Sequence, residues 1–302
     1  MSSNFILLTN TASSIWQRSM GAYQVAGHCR QNGITCQIID FTDYFSYDEL
    51  DELLRKFIGP ETVAIGVSTT FFVNTTSKKQ FIGVKRNLKT VLSDDVRQLL
   101  ENIKKEYNVK IVAGGANSYQ VPGDTLFDAV FHGYSEQSVV QYLHSLTNGK
   151  KMLHPKIGNT EIIDGAKDHF DIETLSHQFI KEDCILPGET LPIEISRGCI
   201  FKCKFCSYPL NGKKKFDYLR DPERIKQELI HNYENYGTTN YFFTDDTFND
   251  STFKLEKLHK IITELPFKIK FVTYLRIDLL YAHPEQIQML YEMGLGLSLI
   301  HI

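Results

Sequence analysis

The chain has no run of 18 apolar residues, the minimum for a helix that crosses a bilayer. Its opening, Met-Ser-Ser-Asn-Phe at residues 1–5, lacks the basic start of a secretory signal, so the expected compartment is the cytoplasm. Charge of one sign is missing too: 33 lysines and arginines against 36 aspartates and glutamates leave a formal net charge of -3. That balance offers no electrostatic attraction for nucleic acid or for an anionic membrane surface. There are six cysteines in 302 residues, three of them clustered, which argues for a reducing compartment over a disulfide framework. What remains is 42% hydrophobic and 23% charged, the make-up of a soluble globular chain. Its length suggests two domains, each with its own core.

The clustered cysteines are spaced x3 then x2 in Cys199-Ile-Phe-Lys-Cys203-Lys-Phe-Cys206, directly after Leu191-Pro-Ile-Glu-Ile-Ser-Arg-Gly198. Thiolates this close, on a loop leaving a strand, can converge on one metal centre. A fourth cysteine is lacking. Structural zinc normally closes its shell with four protein ligands, so three thiolates suit an iron–sulfur cluster better. Cys184 and His231 lie outside the paired spacing of a zinc site, and a zinc knuckle or unrelated thiols stand as the alternative. Cys29, Cys36 and Cys184 read as isolated buried thiols.

The motif Cys-x-x-x-Cys-x-aromatic-Cys, with Phe205 before its last cysteine, resembles the signature of the radical S-adenosylmethionine (SAM) superfamily. The resemblance implies that Cys199, Cys203 and Cys206 hold three irons of a [4Fe–4S] cluster. The fourth iron would be chelated by the amino and carboxylate groups of SAM. One electron from the cluster would cleave SAM to methionine and a 5′-deoxyadenosyl radical. A reductant such as flavodoxin or ferredoxin is the implied partner, with a small molecule or peptide as substrate.

Before the motif, strands are expected at residues 4–8, 34–39, 63–67, 109–113 and 129–131. Helices are expected at 16–31, 48–57 and 94–107, and from a Ser135 cap to Leu146. Alternation at this pitch predicts a doubly wound parallel sheet over residues 1–149. In such sheets ligands bind outside the carboxyl ends of the strands. The candidate rim is therefore Thr9–Gly21, Ser68–Asn74, Gly114–Gln120 and Gly133–Glu136. Gly114-Gly115 permits close approach of a ligand, although such a pair also serves as a plain turn. Together these loops resemble the cobalamin-binding domain that precedes the barrel in one large radical SAM subfamily, which assigns Gly114, Gly115 and Gly133 to cobalamin. The Asp-x-His-x-x-Gly loop that ligates cobalt from below is absent, since Thr9–Gly21 holds no histidine. His28 belongs to the following helix. Any bound cobalamin is expected to have no protein histidine on cobalt.

Residues 150–189 read as a linker broken by Lys150-Lys151, Pro155, Gly158, Gly165 and Pro187, with a small strand at 160–163 and a docking segment at 170–180. His154, His169 and His177 have no metal-site spacing. A second βα series, residues 190–302, starts at Leu191 and reads as the first half of a partial (β/α) barrel. Helices are expected at 222–235, capped by Asp221, and at 253–265 and 284–292. Strands are expected at 240–243 and 268–274, with a fourth after Gly294-Leu-Gly296.

The resemblance places Asp245, Asp246 and Thr247, at the end of the second barrel strand, near the SAM ammonium. An acidic pair suits a cation, though Asp246 also fits as a turn cap. Arg276, at the end of the third strand, is assigned to the SAM carboxylate, with a salt bridge to Asp278 or Glu292 as the alternative. Phe205 is assigned to the adenine, or else to the core. Lys202, Lys204 and Lys213–Lys215 make the neighbourhood basic, and Tyr208-Pro209-Leu210 is expected to close the cluster loop against water. No catalytic side chain stands out.

A barrel of this kind needs about three further strands. The last six residues, Leu297–Ile302, resemble a translated sequencing adapter, so the chain is expected to be the amino-terminal part of a longer enzyme with an open edge on its third barrel strand. The expected activity of the whole is radical SAM chemistry, with cobalamin-dependent methyl transfer to carbon or phosphorus. A radical cyclase or rearrangement enzyme without cobalamin, and a non-catalytic iron–sulfur or corrinoid-binding protein, are the alternatives.

Overall fold

A computed structural model describes residues 2–10, 17–70, 72, 92–150, 152–165, 172, 177–204 and 218–301, with side chains described up to Leu297. The chain divides into two compact units, Met1–Phe170 and Asp171–Ile302. Among the described residues no helix is long and apolar enough to cross a membrane.

The first unit is built from β1 (Phe5–Leu8), α1 (Met20–Gln31), β2 (Cys36–Ile39), α2 (Tyr47–Phe57), β3 (Ala64–Ser68), α3 (Asp94–Tyr107), β4 (Lys110–Gly114), β5 (Ala129–His132), α4 (Glu136–Asn148), β6 (Lys156–Ile157) and β7 (Thr160–Asp164). The sheet order is β2-β1-β3-β4-β5-β7-β6, parallel except for the β6–β7 pair. Strands β1, β2 and β3 are buried at every position, as a parallel sheet covered on both faces requires. The order reverses between β1 and β3, which puts the ligand crevice of such a sheet at their carboxyl ends.

Local signals explain the helices. Ser46 and Glu49 form a reciprocal capping box at the start of α2, whose Leu50 and Leu54 enter the core. Ser93 accepts the Val96 N–H to open α3. The linker reading of 150–164 needs correction. Gly158-Asn159 is a two-residue hairpin turn between Ile157 and Thr160, and β7 then pairs in parallel with β5 from Ala129↔Glu161 to His132↔Asp164. The small strand expected at 160–163 is β7, while the two-residue β6 is too short for periodicity to reveal and the pairing of β7 with β5 is set only by the tertiary structure.

The second unit contains β8 (Leu191–Glu194), α5 (Pro222–Tyr236), β9 (Asn240–Thr244), α6 (Thr252–Thr263), β10 (Lys270–Arg276), α7 (Ile277–Ala282), α8 (Glu285–Met293) and β11 (Leu295–His301). Its four strands run parallel in sequence order, β8 to β11, the progression of a βα barrel segment. Asp221 caps α5 by accepting the Glu223 N–H at 3.0 Å. The docking segment is tied down: His231 Nε2 and the Tyr236 hydroxyl both meet the Phe179 carbonyl, at 3.1 and 2.8 Å. In β9 and β10 buried residues alternate with half-buried ones. Tyr241, Phe243, Phe271, Thr273 and Leu275 face inward, with Phe243 and Phe271 stacked at 4.4 Å. Phe242, Thr244, Tyr274 and Arg276 occupy the more open face. The expected free edge on β10 is not found: Val272–Arg276 pair with Leu297–His301 of β11.

Candidate metal centre

The cysteine loop is pinched shut at its base. After β8, Arg197 N–H donates to the Tyr218 carbonyl (2.7 Å) and Arg220 N–H to the Ile195 carbonyl (3.0 Å), across an antiparallel bridge between Ser196 and Leu219. Two arginines brace this base. Arg197 grips Glu194 through Nε and Nη2, both at 2.8 Å. Arg220, wholly buried, donates to the Glu194 carbonyl at 2.7 Å and to both Glu228 oxygens at 2.5 and 3.1 Å.

Two of the three motif cysteines lie among the described residues; Phe205, Cys206, Tyr208–Leu210 and Lys213–Lys215 lie outside them. Cys199 is buried, and its sulfur lies 3.5 Å from both the Thr247 hydroxyl oxygen and the Phe201 amide nitrogen, which donates to it. Burial pushes the Cys199 thiol up, and those hydrogen bonds partly offset the shift. Cys203 is half-buried, and Arg276 Nη1 donates to its sulfur at 3.6 Å. The loops after β8, β9 and β10 thus meet at the sulfurs.

The acidic segment after β9 divides its labour. The Asp245 carboxylate accepts the Thr247 N–H at 3.0 Å and forms an ion pair with Lys254 at 2.6 Å, with both side chains fully buried. Lys254 also reaches Asp250 and the Thr247 carbonyl, each at 3.1 Å. Asp250 in turn accepts the Tyr218 hydroxyl at 2.9 Å. Asp246 stays out of this network and half-exposed; burial first, then Asp245, pushes its carboxyl up to about 6. Asn249 mimics a strand residue toward β10, donating to the Arg276 carbonyl (3.0 Å) and accepting the Arg276 N–H (2.9 Å).

Arg276 adopts the Asp278 alternative. Its Nε and Nη2 bind the Asp278 carboxylate at 3.0 and 2.6 Å, and its Cζ lies 4.2 Å from the Phe201 ring centre. In this structure that edge of the guanidinium meets Asp278, whose side chain is 59% exposed. Lys254, Asp250, Tyr218 and Asn249 were missed by sequence reasoning. The only local trace of them is the Asp250–Lys254 spacing of four, which reads as an ordinary helix surface pair.

In the first unit, the Gly114-Gly115 loop lies against the loop after β3. Thr69 donates to the Gly114 carbonyl from both N–H and hydroxyl, each at 2.7 Å, and Asn117 Nδ2 donates to the Thr69 carbonyl at 2.9 Å. Gly115 has a φ of +99°, and a Cβ there would fall 2.6 Å from the Thr70 hydroxyl oxygen. Its close approach is thus to Thr70. Gly133, at a φ of +74°, accepts the Ser135 hydroxyl at its carbonyl. His28 sits in α1 with Nε2 3.2 Å from Gln137 Oε1, a helix residue as expected.

The described sulfurs fit a cluster. Each has a hydrogen-bond donor or hydroxyl at its surface, the surroundings of a thiolate ligand, and bound iron would deprotonate the otherwise neutral Cys199. A parallel βα series with a cysteine loop after its first strand is an arrangement in which thiolates can hold a cluster. Residues 193–302 match the profile of the radical SAM superfamily.

The fold matches two solved structures over 99% of this chain. One is the cobalamin-dependent S-adenosylmethionine radical enzyme OxsB with aqua-cobalamin and S-adenosylmethionine bound (TM-score 0.69, 13% identity). The other is the radical S-adenosylmethionine methyltransferase TsrM from Kitasatospora setae with cobalamin and [4Fe–4S] cluster bound (TM-score 0.70, 14% identity). The chain spans 44% of the first and 60% of the second. No curated protein matches it in sequence.

Proposed function

We propose that Cys199, Cys203 and Cys206 hold a [4Fe–4S] cluster that works on SAM, and that the full-length protein is a cobalamin-dependent methyltransferase. The observation that carries the cluster is the convergence of Thr247 and Arg276, from the ends of β9 and β10, on the Cys199 and Cys203 sulfurs. When bound, the cluster supplies one electron to the sulfonium of SAM, releasing methionine and a 5′-deoxyadenosyl radical.

The chain's own residues prepare this. The braced loop base holds the cysteines in register with β9. Asp245, neutralised by Lys254, fixes the backbone of the Asp245–Thr247 turn, and Asp246 is the carboxylate left to meet the SAM ammonium. Phe205 is assigned to the adenine, and a reductant such as flavodoxin or ferredoxin to electron delivery. Cobalamin binding by the first unit, at the crevice rimmed by Gly114, Gly115 and Gly133, is supported by a fold shared with cobalamin-bound OxsB and TsrM.

Anaerobic reconstitution of the chain is expected to give about four irons with broad charge-transfer absorption. Replacing all three cysteines by alanine is expected to abolish both. Retained iron and colour in that variant, or stoichiometric zinc in the wild type, would overturn the assignment. In the full-length protein, methylcobalamin formed from SAM supports methyl transfer.

A further inference from the structure

We propose that Thr247 and Arg276 set the reduction potential of the cluster, each donating a hydrogen bond to a ligand sulfur, Thr247 to Cys199 and Arg276 to Cys203. The inference rests on the cluster reading above and adds two residues that act through the ligands without touching iron.

Thr247 is 4% exposed, and its backbone is held from both sides. Its N–H goes to Asp245 Oδ1 at 3.0 Å, and its carbonyl accepts Lys254 Nζ at 3.1 Å. Lys254 is itself clamped between Asp245 and Asp250 with no solvent exposure. Thr247 therefore cannot drift, and its hydroxyl oxygen stays 3.5 Å from the Cys199 sulfur and 2.8 Å from the Asp246 carbonyl. A neutral thiol can donate its own hydrogen to the threonine, which leaves the hydroxyl to that carbonyl. An iron-bound thiolate has no hydrogen. The hydroxyl is then the donor of the pair, and a charge-assisted bond to sulfur is stronger than a neutral one to the carbonyl.

Arg276 is arranged to the same end. Asp278 takes Nε and Nη2, the Phe201 ring packs against the plane, and Nη1 is left toward the Cys203 sulfur at 3.6 Å. A guanidinium keeps its protons throughout the working pH range, so this donor is permanent. Donors and positive charge at cluster sulfurs stabilise the added electron and raise the potential.

The test is a redox titration of the anaerobically reconstituted chain, followed by electron paramagnetic resonance. Thr247→Val and Arg276→Met are each expected to reduce the cluster about tenfold less readily at a given potential, a 59 mV negative shift for one electron, with four irons retained. Thr247→Ser and Arg276→Lys keep a donor and are expected to hold the wild-type midpoint. Unchanged midpoints in fully loaded Val and Met variants would overturn the proposal. If those two variants take up no iron, the Ser and Lys variants decide alone: wild-type midpoints support the tuning role, and a tenfold shift in either defeats it. A wild type that takes up no iron defeats the cluster reading itself, before any potential is measured.

Discussion

Asp246 is the residue at which stability and function pull apart. Its carboxyl is raised to about 6 by burial and by Asp245, against an ordinary value of about 3.9. The folded chain thus binds this proton more tightly than the unfolded chain does. The resulting stabilisation is full below about pH 4 and is lost as pH rises through about 6. Solvent reaches the group, so we expect about 1 kcal/mol to remain after screening. Asp246→Asn should therefore be more stable than the wild type at pH 7 and indistinguishable from it near pH 4, as read by urea denaturation. Equal pH dependence in both proteins would refute the burial argument. In the proposed function the same ionised carboxylate meets the SAM ammonium. SAM affinity measured by calorimetry is expected to fall as the wild type is acidified through pH 6, and to be weak and flat in the variant.

Among the elements, the end of the segment before α5 carries a buried ion pair. Arg220 and Glu228 are 0% and 3% exposed, and Glu228 also accepts the His177 N–H at 2.7 Å. A buried pair of this kind adds little net stability, but removing one partner strands the other charge and typically costs about 3–5 kcal/mol. Arg220→Met is expected to lose that much in urea denaturation and to loosen the base of the cysteine loop. Arg220→Met combined with Glu228→Leu is expected to regain most of it. A single variant costing less than about 1 kcal/mol would show that the pair does not brace the loop.

At the scale of the whole molecule, the described residues form a seven-stranded α/β unit and a four-stranded βα unit. The loop between β1 and α1 has no histidine, and His28 is held in α1 beside Gln137. If the first unit binds cob(II)alamin, its paramagnetic resonance spectrum is expected to lack nitrogen hyperfine splitting from a protein imidazole. His28→Ala should leave that spectrum unchanged. Splitting that disappears in His28→Ala would put a histidine on cobalt after all.

The sequence by itself determined the succession of strands and helices, because caps and turn residues act over a few positions. Helix α3 occupies 94–107 as the sequence predicts, and Gly237 ends α5 in the left-handed conformation. It also determined the cysteine spacing, which is chemistry carried within eight residues. What it left undecided are contacts made across the sheet. Thr247 reaches Cys199 over 48 residues and Arg276 reaches Cys203 over 73. Such meetings depend on strand order and register, which no local pattern encodes. Lys254 is the clearest case. Four residues from Asp250 it looks like half of a solvated helix pair, and only packing of α6 against the end of β9 buries it and brings Asp245 to its other side. Low dielectric then makes the pairing obligatory, since a lysine buried without its carboxylates would give up its charge.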